Sequence, residues 1–94
     1  MRVRWLRTAL ANLEAEAEYI AEDNPGAAGR VVQRILRAVD LLKKNPAMGR
    51  AGRVAGTREL VVADTPYIIP YRVRGEAVEI LRVFHAARKW PGKV

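Results

Sequence analysis

Two helix signatures meet at Asp23-Asn24-Pro25-Gly26, and this break constrains the fold more than any other segment. Proline lacks an N–H and its ring clashes with the turn before it, so no helix runs through position 25. At the first position of a new helix that missing N–H costs nothing, and Asn24 carries the side-chain oxygen of an N-cap. The segments on either side must therefore form a helical hairpin. Upstream, Ala9, Leu10, Leu13, Ala17 and Ile20 recur at steps of three and four, which predicts a helix over 9–22 capped by Thr8, with acids on its other face. Downstream, Ala28, Val31, Val32, Ile35, Leu36, Val39 and Leu42 make a stripe too wide for one partner, so the second helix should touch both the first and a sheet. Lys43 and Lys44 fall in its last turn, favourable against the helix dipole, and Asn45-Pro46 stops it.

The rest of the chain reads as strands. Arg2 to Trp5 alternates charged and apolar residues, as a short strand with Val3 and Trp5 inward does. Gly56-Thr57-Arg58-Glu59-Leu60, Tyr67 to Val73 and Ala77 to Phe84 read as three further strands, the first two joined by the tight turn Asp64-Thr65-Pro66. Short turn-linked strands run antiparallel. Pro70 removes a ladder donor and predicts a bulge or a missing partner there. Residues 45–57, with glycines at 49, 52 and 56 and arginines at 50 and 53, form a connection of a length that tends to be functional. The expected architecture is α+β: an N-terminal short strand and a two-helix hairpin packed on a small three- to four-stranded, mainly antiparallel sheet, in one domain over residues 1–94.

At 94 residues there is one core, burying roughly two thirds of the unfolded chain's surface. No cysteine means no disulfide framework and no thiolate nucleophile, and a lone histidine does not make a zinc site, so neither metal nor cofactor is expected. Arg2 and Arg4 sit where a signal peptide would build its apolar core, and no run reaches membrane-spanning length; the expectation is a cytoplasmic protein. The formal charge is +7. From Arg50 onward there are nine Lys/Arg against four Asp/Glu, whereas Thr8 to Asp23 holds five acids and no base. Such a basic end suits DNA, RNA, a ribosome or an acidic protein surface, and equally a well-solvated face with no partner.

The C-terminal stretch brings several candidate groups together. An unperturbed imidazole changes charge near neutral pH, so a histidine at position 85 suits either proton transfer or a structural hydrogen bond. Arg88 and Lys89 suit phosphate or plain solvation, and Trp90 either stacks on a base or pins the tail to the core. Arg72 and Arg82 lie in apolar strands and must reach solvent or find acceptors, with Glu59 and Glu79 the obvious acids. Arg50 and Arg53, three apart in the Gly-rich loop, have the spacing of a mobile phosphate clamp, but the phosphate-loop pattern Gly-x-x-x-x-Gly-Lys-Ser/Thr is absent. As exposed loop charges they should matter little to folding.

The helical hairpin, the Pro then Gly-Arg loop, Gly56-Thr57-Arg58-Glu59-Leu60, the Tyr67 to Val73 strand and Glu79-Ile80-Leu81-Arg82-Val83-Phe84-His85-Ala86-Ala87-Arg88 together resemble the RelE/ParE superfamily of bacterial type II toxins. The resemblance covers nearly the whole chain and implies one of two activities. RelE-like members are ribosome-dependent mRNA endonucleases, which here would use Arg58, Arg72, Arg82 and Arg88 on phosphate and His85 for proton transfer. ParE-like members poison DNA gyrase and have no catalytic residues to place. The nucleases tend to carry a cation just after the aromatic at Tyr67, where this chain has Ile68; no tyrosine lies beyond Tyr71; and their lysine-rich middle segment is missing. These departures favour the ParE-like reading, with a ParD-like antitoxin as partner and Arg50, Arg53, Arg58, Arg82, His85, Arg88, Lys89 and Trp90 facing the target. The antitoxin is expected as an amphipathic helix along Leu13, Ala17, Ile20 and Val32, with Arg58 and Arg82 at its charged end. A homodimer or a toxin–antitoxin hetero-oligomer is open, and a plain binding module would explain the charge but not the resemblance.

Overall fold

The computed structural model describes residues 1–88. In chain order it contains β1 (Arg2–Trp5), α1 (Arg7–Asp23), α2 (Pro25–Asp40), a 3₁₀ turn (Leu41–Lys43), β2 (Arg50–Ala51), β3 (Arg58–Val61), β4 (Tyr67–Arg74), β5 (Ala77–Ile80) and β6 (Phe84–His85). Asn24 is the N-cap of α2: its side-chain oxygen accepts from the Ala27 N–H at 3.0 Å, and Pro25 opens the helix. Thr8, by contrast, lies inside the first turn of α1, whose N-cap is Leu6 without a side-chain cap. The Leu6 N–H donates to the Ile80 carbonyl at 3.0 Å, so β1's attachment to β5, and not a local hydroxyl, sets where α1 begins. Lys43 and Lys44 also fall past the helix. Arg37 is the base in the last turn of α2, and Lys43 pairs with Asp40 across the 3₁₀ turn at 2.7 Å.

The sheet has six strands, not three or four, in the order β1-β5-β4-β3-β2, with β6 pairing β4. β2, β3, β4 and β5 run antiparallel in turn, whereas β1 is parallel to β5, with Val3 opposite Val78 and Trp5 opposite Ile80. The strand expected over 77–84 is broken in two. On β4 two residues, Ile69 and Pro70, lie between the pairs Ile68↔Phe84 and Tyr71↔Ile80; on the facing chain three residues, Leu81 to Val83, do. That extra residue is a bulge. Pro70 explains its position: the Pro70 carbonyl accepts from the Leu81 N–H at 3.0 Å, and the N–H that proline lacks would point to the same side.

Both helices lie on one face of this sheet. Ala9, Ile35, Val39 and Leu42 from the helical side meet Leu60, Val62, Tyr67, Ile69, Tyr71, Val78, Ile80 and Val83, and Val3, Trp5, Leu13 and Ile20 pack against that cluster. The alternation of β4 does the sorting, sending Tyr67, Ile69 and Tyr71 to the helices. Residues 45–57 are more tightly held than a free connector. The buried Tyr71 hydroxyl donates to the Pro46 carbonyl at 2.7 Å and accepts from the Gly49 N–H at 2.8 Å, and residues 50 and 51 join the sheet as β2. Gly49 is required by contact, since a Cβ there would lie 2.6 Å from Tyr71 Cε1 and 2.9 Å from the Glu59 carbonyl oxygen.

Two substitutions test this anchor. Tyr71→Phe strips the partner from a buried N–H and a carbonyl and should cost about 1–3 kcal/mol. Gly49→Ala should cost a similar ~1–3 kcal/mol by forcing the ring and β3 apart. Urea unfolding measures both, and a loss near zero for either would show that the loop is not fastened there.

Candidate functional site

The second face of the sheet is polar and centred on two carboxylates. Glu59 and Glu79 are the buried charged residues among those described, at 3% and 5% exposure. Glu79 sits on β5 directly between Arg4 of β1 and Arg72 of β4. Arg72 Nε donates to Glu79 Oε1 at 2.7 Å, while Arg4 and Arg74 approach to 3.6 and 3.8 Å. The Arg72 hydrogen bond holds the Glu79 carboxyl below its ordinary 4.5 against the opposing pull of burial, and the Arg72, Arg74 and Arg4 charges add to it. Its contribution to stability is thus complete above the ordinary value and is lost as the pH falls through the lowered one.

Glu59 organises the loop. Arg50 Nε and Nη2 donate to Oε1 at 3.2 and 3.1 Å, the Arg53 N–H donates to Oε2 at 2.9 Å, and the Arg53 guanidinium lies 3.7 Å away. Arg50 and Arg53 are therefore no mobile clamp awaiting phosphate. They already hold an anion, supplied by β3. Arg58 turns back onto the loop, donating to the Gly49 and Ala47 carbonyls at 2.9 and 3.3 Å.

A third cluster joins the C-terminal turn to α1. Glu16 accepts from the Tyr67 hydroxyl at 2.9 Å through one oxygen and from Arg88 Nη1 through the other. The Arg88 guanidinium also stacks 5.4 Å over the Tyr19 ring, a cation–π contact. His85 meets Tyr67 edge-on with ring centroids 5.5 Å apart, and its Nδ1 accepts from the Ala87 N–H at 3.2 Å. Burial first, and then the Glu16 hydrogen bond, push the Tyr67 phenol up to about 12. Arg88 is raised by its bond to Glu16 and is locked in the charged form.

Of the residues expected to face a target, His85 and Arg88 come together, Arg50, Arg53 and Arg58 form a separate group around the loop, and Lys89 and Trp90 lie outside the described residues. Arg82 is half-buried and has no acidic partner among the described residues, unlike Arg72. Glu16 was missed, although the sequence carries a signal for it: positions 13, 16, 17 and 20 share one helix face, so this acid interrupts an otherwise apolar stripe. On the far side of the helical hairpin, Ala17 and Val32 line a shallow groove of about 380 Å³ with Ala21, Ala28 and Gly29. Leu13 and Ile20 turn the other way, against the core. Among the described residues no group of acids and histidine could hold a metal ion, and no helix is long and apolar enough to cross a membrane.

Residues 3–90 match the family model described as the ParE toxin of the type II toxin–antitoxin system parDE. The chain is 56% identical over 90 residues to the putative toxin Y4kP of Sinorhizobium fredii, covering 96% of this chain and 93% of that one. Toxin RelE2 of Caulobacter vibrioides is 44% identical over 87 residues, covering 93% and 97%. A solved structure titled as a chromosomal ParDE system from P. aeruginosa superposes with a TM-score of 0.82 at 34% identity, covering 90% of this chain and 95% of that one.

Two outcomes check the clusters. Reversing Arg50 and Arg53 to Glu should cost about 2–3 kcal/mol in chemical denaturation, because Glu59 stays buried with both guanidiniums replaced by like charges and only the backbone N–H of residue 53 still donating to it; a change within ~0.5 kcal/mol would return these residues to the class of free surface charges. In an alkaline titration followed by tyrosine absorbance, Tyr67 should ionise near 12. The neutral phenol is the favoured form, so this contribution to stability is full below the ordinary 10.0 and disappears as the pH rises towards 12. Glu16→Gln should bring Tyr67 part of the way down, burial keeping the remainder.

Proposed function

The chain belongs to the ParE toxin family of type II toxin–antitoxin systems, and on that premise we propose that it acts by poisoning DNA gyrase and is held inactive by a ParD-like antitoxin. One observation carries the choice of target: of the four arginines a metal-free ribonuclease would use here, all but Arg82 are committed to the fold. Arg72 is bound by Glu79, Arg58 by loop carbonyls and Arg88 by Glu16. His85 is turned onto the backbone through Nδ1, and the position after Tyr67 is the buried Ile68. A nuclease depends on a poised proton acceptor and a phosphate clamp, each worth on the order of a hundredfold in rate. Blocking a large enzyme asks only for a rigid surface.

The antitoxin reading is supported by the ParDE title of the superposed structure and by the groove between α1 and α2. An amphipathic helix laid there would cover Ala17 and Val32, and acids beside it would meet the toxin's basic surface. Leu13 and Ile20, which already face the core, would be spectators.

The deciding experiment adds the protein to gyrase with supercoiled plasmid and, separately, to a translating ribosome with end-labelled mRNA. Gyrase should be trapped in a cleaved complex while the mRNA stays intact, and His85→Ala should keep most of the inhibition. Truncation before Arg88 should abolish it by removing the cations and Trp90 together. Codon-phased cuts in the mRNA that vanish in His85→Ala would replace the gyrase reading with a ribosome-dependent endonuclease.

A further inference from the structure

The arginines of the sheet side are largely spent on Glu59, Glu79 and Glu16, which moves the question of the +7 charge to another surface. On α2, Arg30, Arg34 and Arg37 follow one another at steps of four and three and so stand along one face of the helix. All three are exposed. Among the described residues neither Arg30 nor Arg37 has an acidic partner. Arg34 reaches Asp64 at 3.4 Å, a pair with both side chains more than half exposed, of the kind that contributes little and exchanges readily. Asp40, one turn beyond Arg37, is taken by Lys43. The three guanidiniums line a groove of about 610 Å³ whose remaining walls are Gly26, Gly29 and Gln33.

We infer that this face of α2 is a contact surface for the phosphate backbone of duplex DNA. The kind of partner follows from what the face lacks. A protein partner needs a central apolar or aromatic anchor, and the six residues lining this groove offer none. Single-stranded nucleic acid is gripped by base stacking on aromatic side chains, also missing from the groove. A duplex backbone asks only for a row of cations, and guanidinium forks match phosphate oxygens two at a time. The row spans about 10 Å of helix axis at ~1.5 Å per residue. B-form DNA presents a groove of about 12 Å, wide enough to admit a helical ridge, whereas the deep groove of an A-form RNA duplex is too narrow for one.

This inference is independent of gyrase and is tested without it. Binding of a fluorescent random-sequence DNA duplex is followed by anisotropy across a salt series, for wild type, for Arg30→Ala/Arg34→Ala/Arg37→Ala, and for Arg82→Ala on the opposite candidate basic surface. Alanine is the best helix former, so α2 persists in the triple variant, which circular dichroism verifies. Wild type should bind with an affinity that falls steeply with salt. The triple variant should lose at least ~10-fold at low salt and flatten the log–log salt slope by about 2.7, three contacts at ~0.9 each. Arg82→Ala should match wild type. An unchanged slope in the triple variant, a loss carried by Arg82→Ala instead, or tighter binding to an RNA duplex or a glutamate-rich peptide than to DNA would each overturn it.

Discussion

The sheet depends on one buried carboxylate. Glu79 stands on the strand between β1 and β4, and its register partners on either side are both arginines. A carboxylate placed there without them would meet a desolvation cost of several kcal/mol, so β1 and β4 must both be in place before β5 is comfortable. The same contact places the start of α1, because β1's last hydrogen bond to β5 is made by Leu6, the residue that caps the helix. Glu59 repeats the device two strands along the sheet, bringing β2 and the arginines of the loop to β3. The polar face is thus a second adhesive layer, opposite the apolar one under the helices.

That economy explains why net charge is a poor guide to where this molecule meets anions. Arg4, Arg50, Arg53, Arg72 and Arg88 all contribute to the formal +7, yet each faces a carboxylate of the same chain. A field able to attract a polyanion comes from cations with no such partner, and among the described residues these include Arg30 and Arg37, outside the basic run that composition highlights, as well as Arg82 within it.

Local chemistry was legible and remote chemistry was not. The helix break at Asn24-Pro25, the first strand, the antiparallel order of β3 to β5 and an irregularity at Pro70 all follow from properties of single residues or short patterns. The α1 cap was misplaced because Thr8 has the right hydroxyl, while the true boundary is imposed by Ile80, over seventy positions away. The extra edge strands are two residues each, too short to show any alternation. At the candidate site, pairing of Arg72 with Glu79 was among the stated alternatives, but Arg50 and Arg53 looked like free loop charges because sequence cannot show that β2 folds them over Glu59. The Glu16 contact with Tyr67 and Arg88 spans the chain almost end to end; only its position inside an apolar stripe hints at it.

The parallel pairing of β1 with β5 joins positions about 75 apart. Synthesis proceeds from the amino end, so the first strand leaves the ribosome long before its neighbour exists, and the Glu16–Arg88 contact must wait longer still. A chain made only as far as α2 holds at most a helical hairpin. The helical hairpin is thus complete in the chain well before its sheet, and the clamp of the C-terminal turn onto α1 through Glu16 and Arg88 is among the last contacts to form.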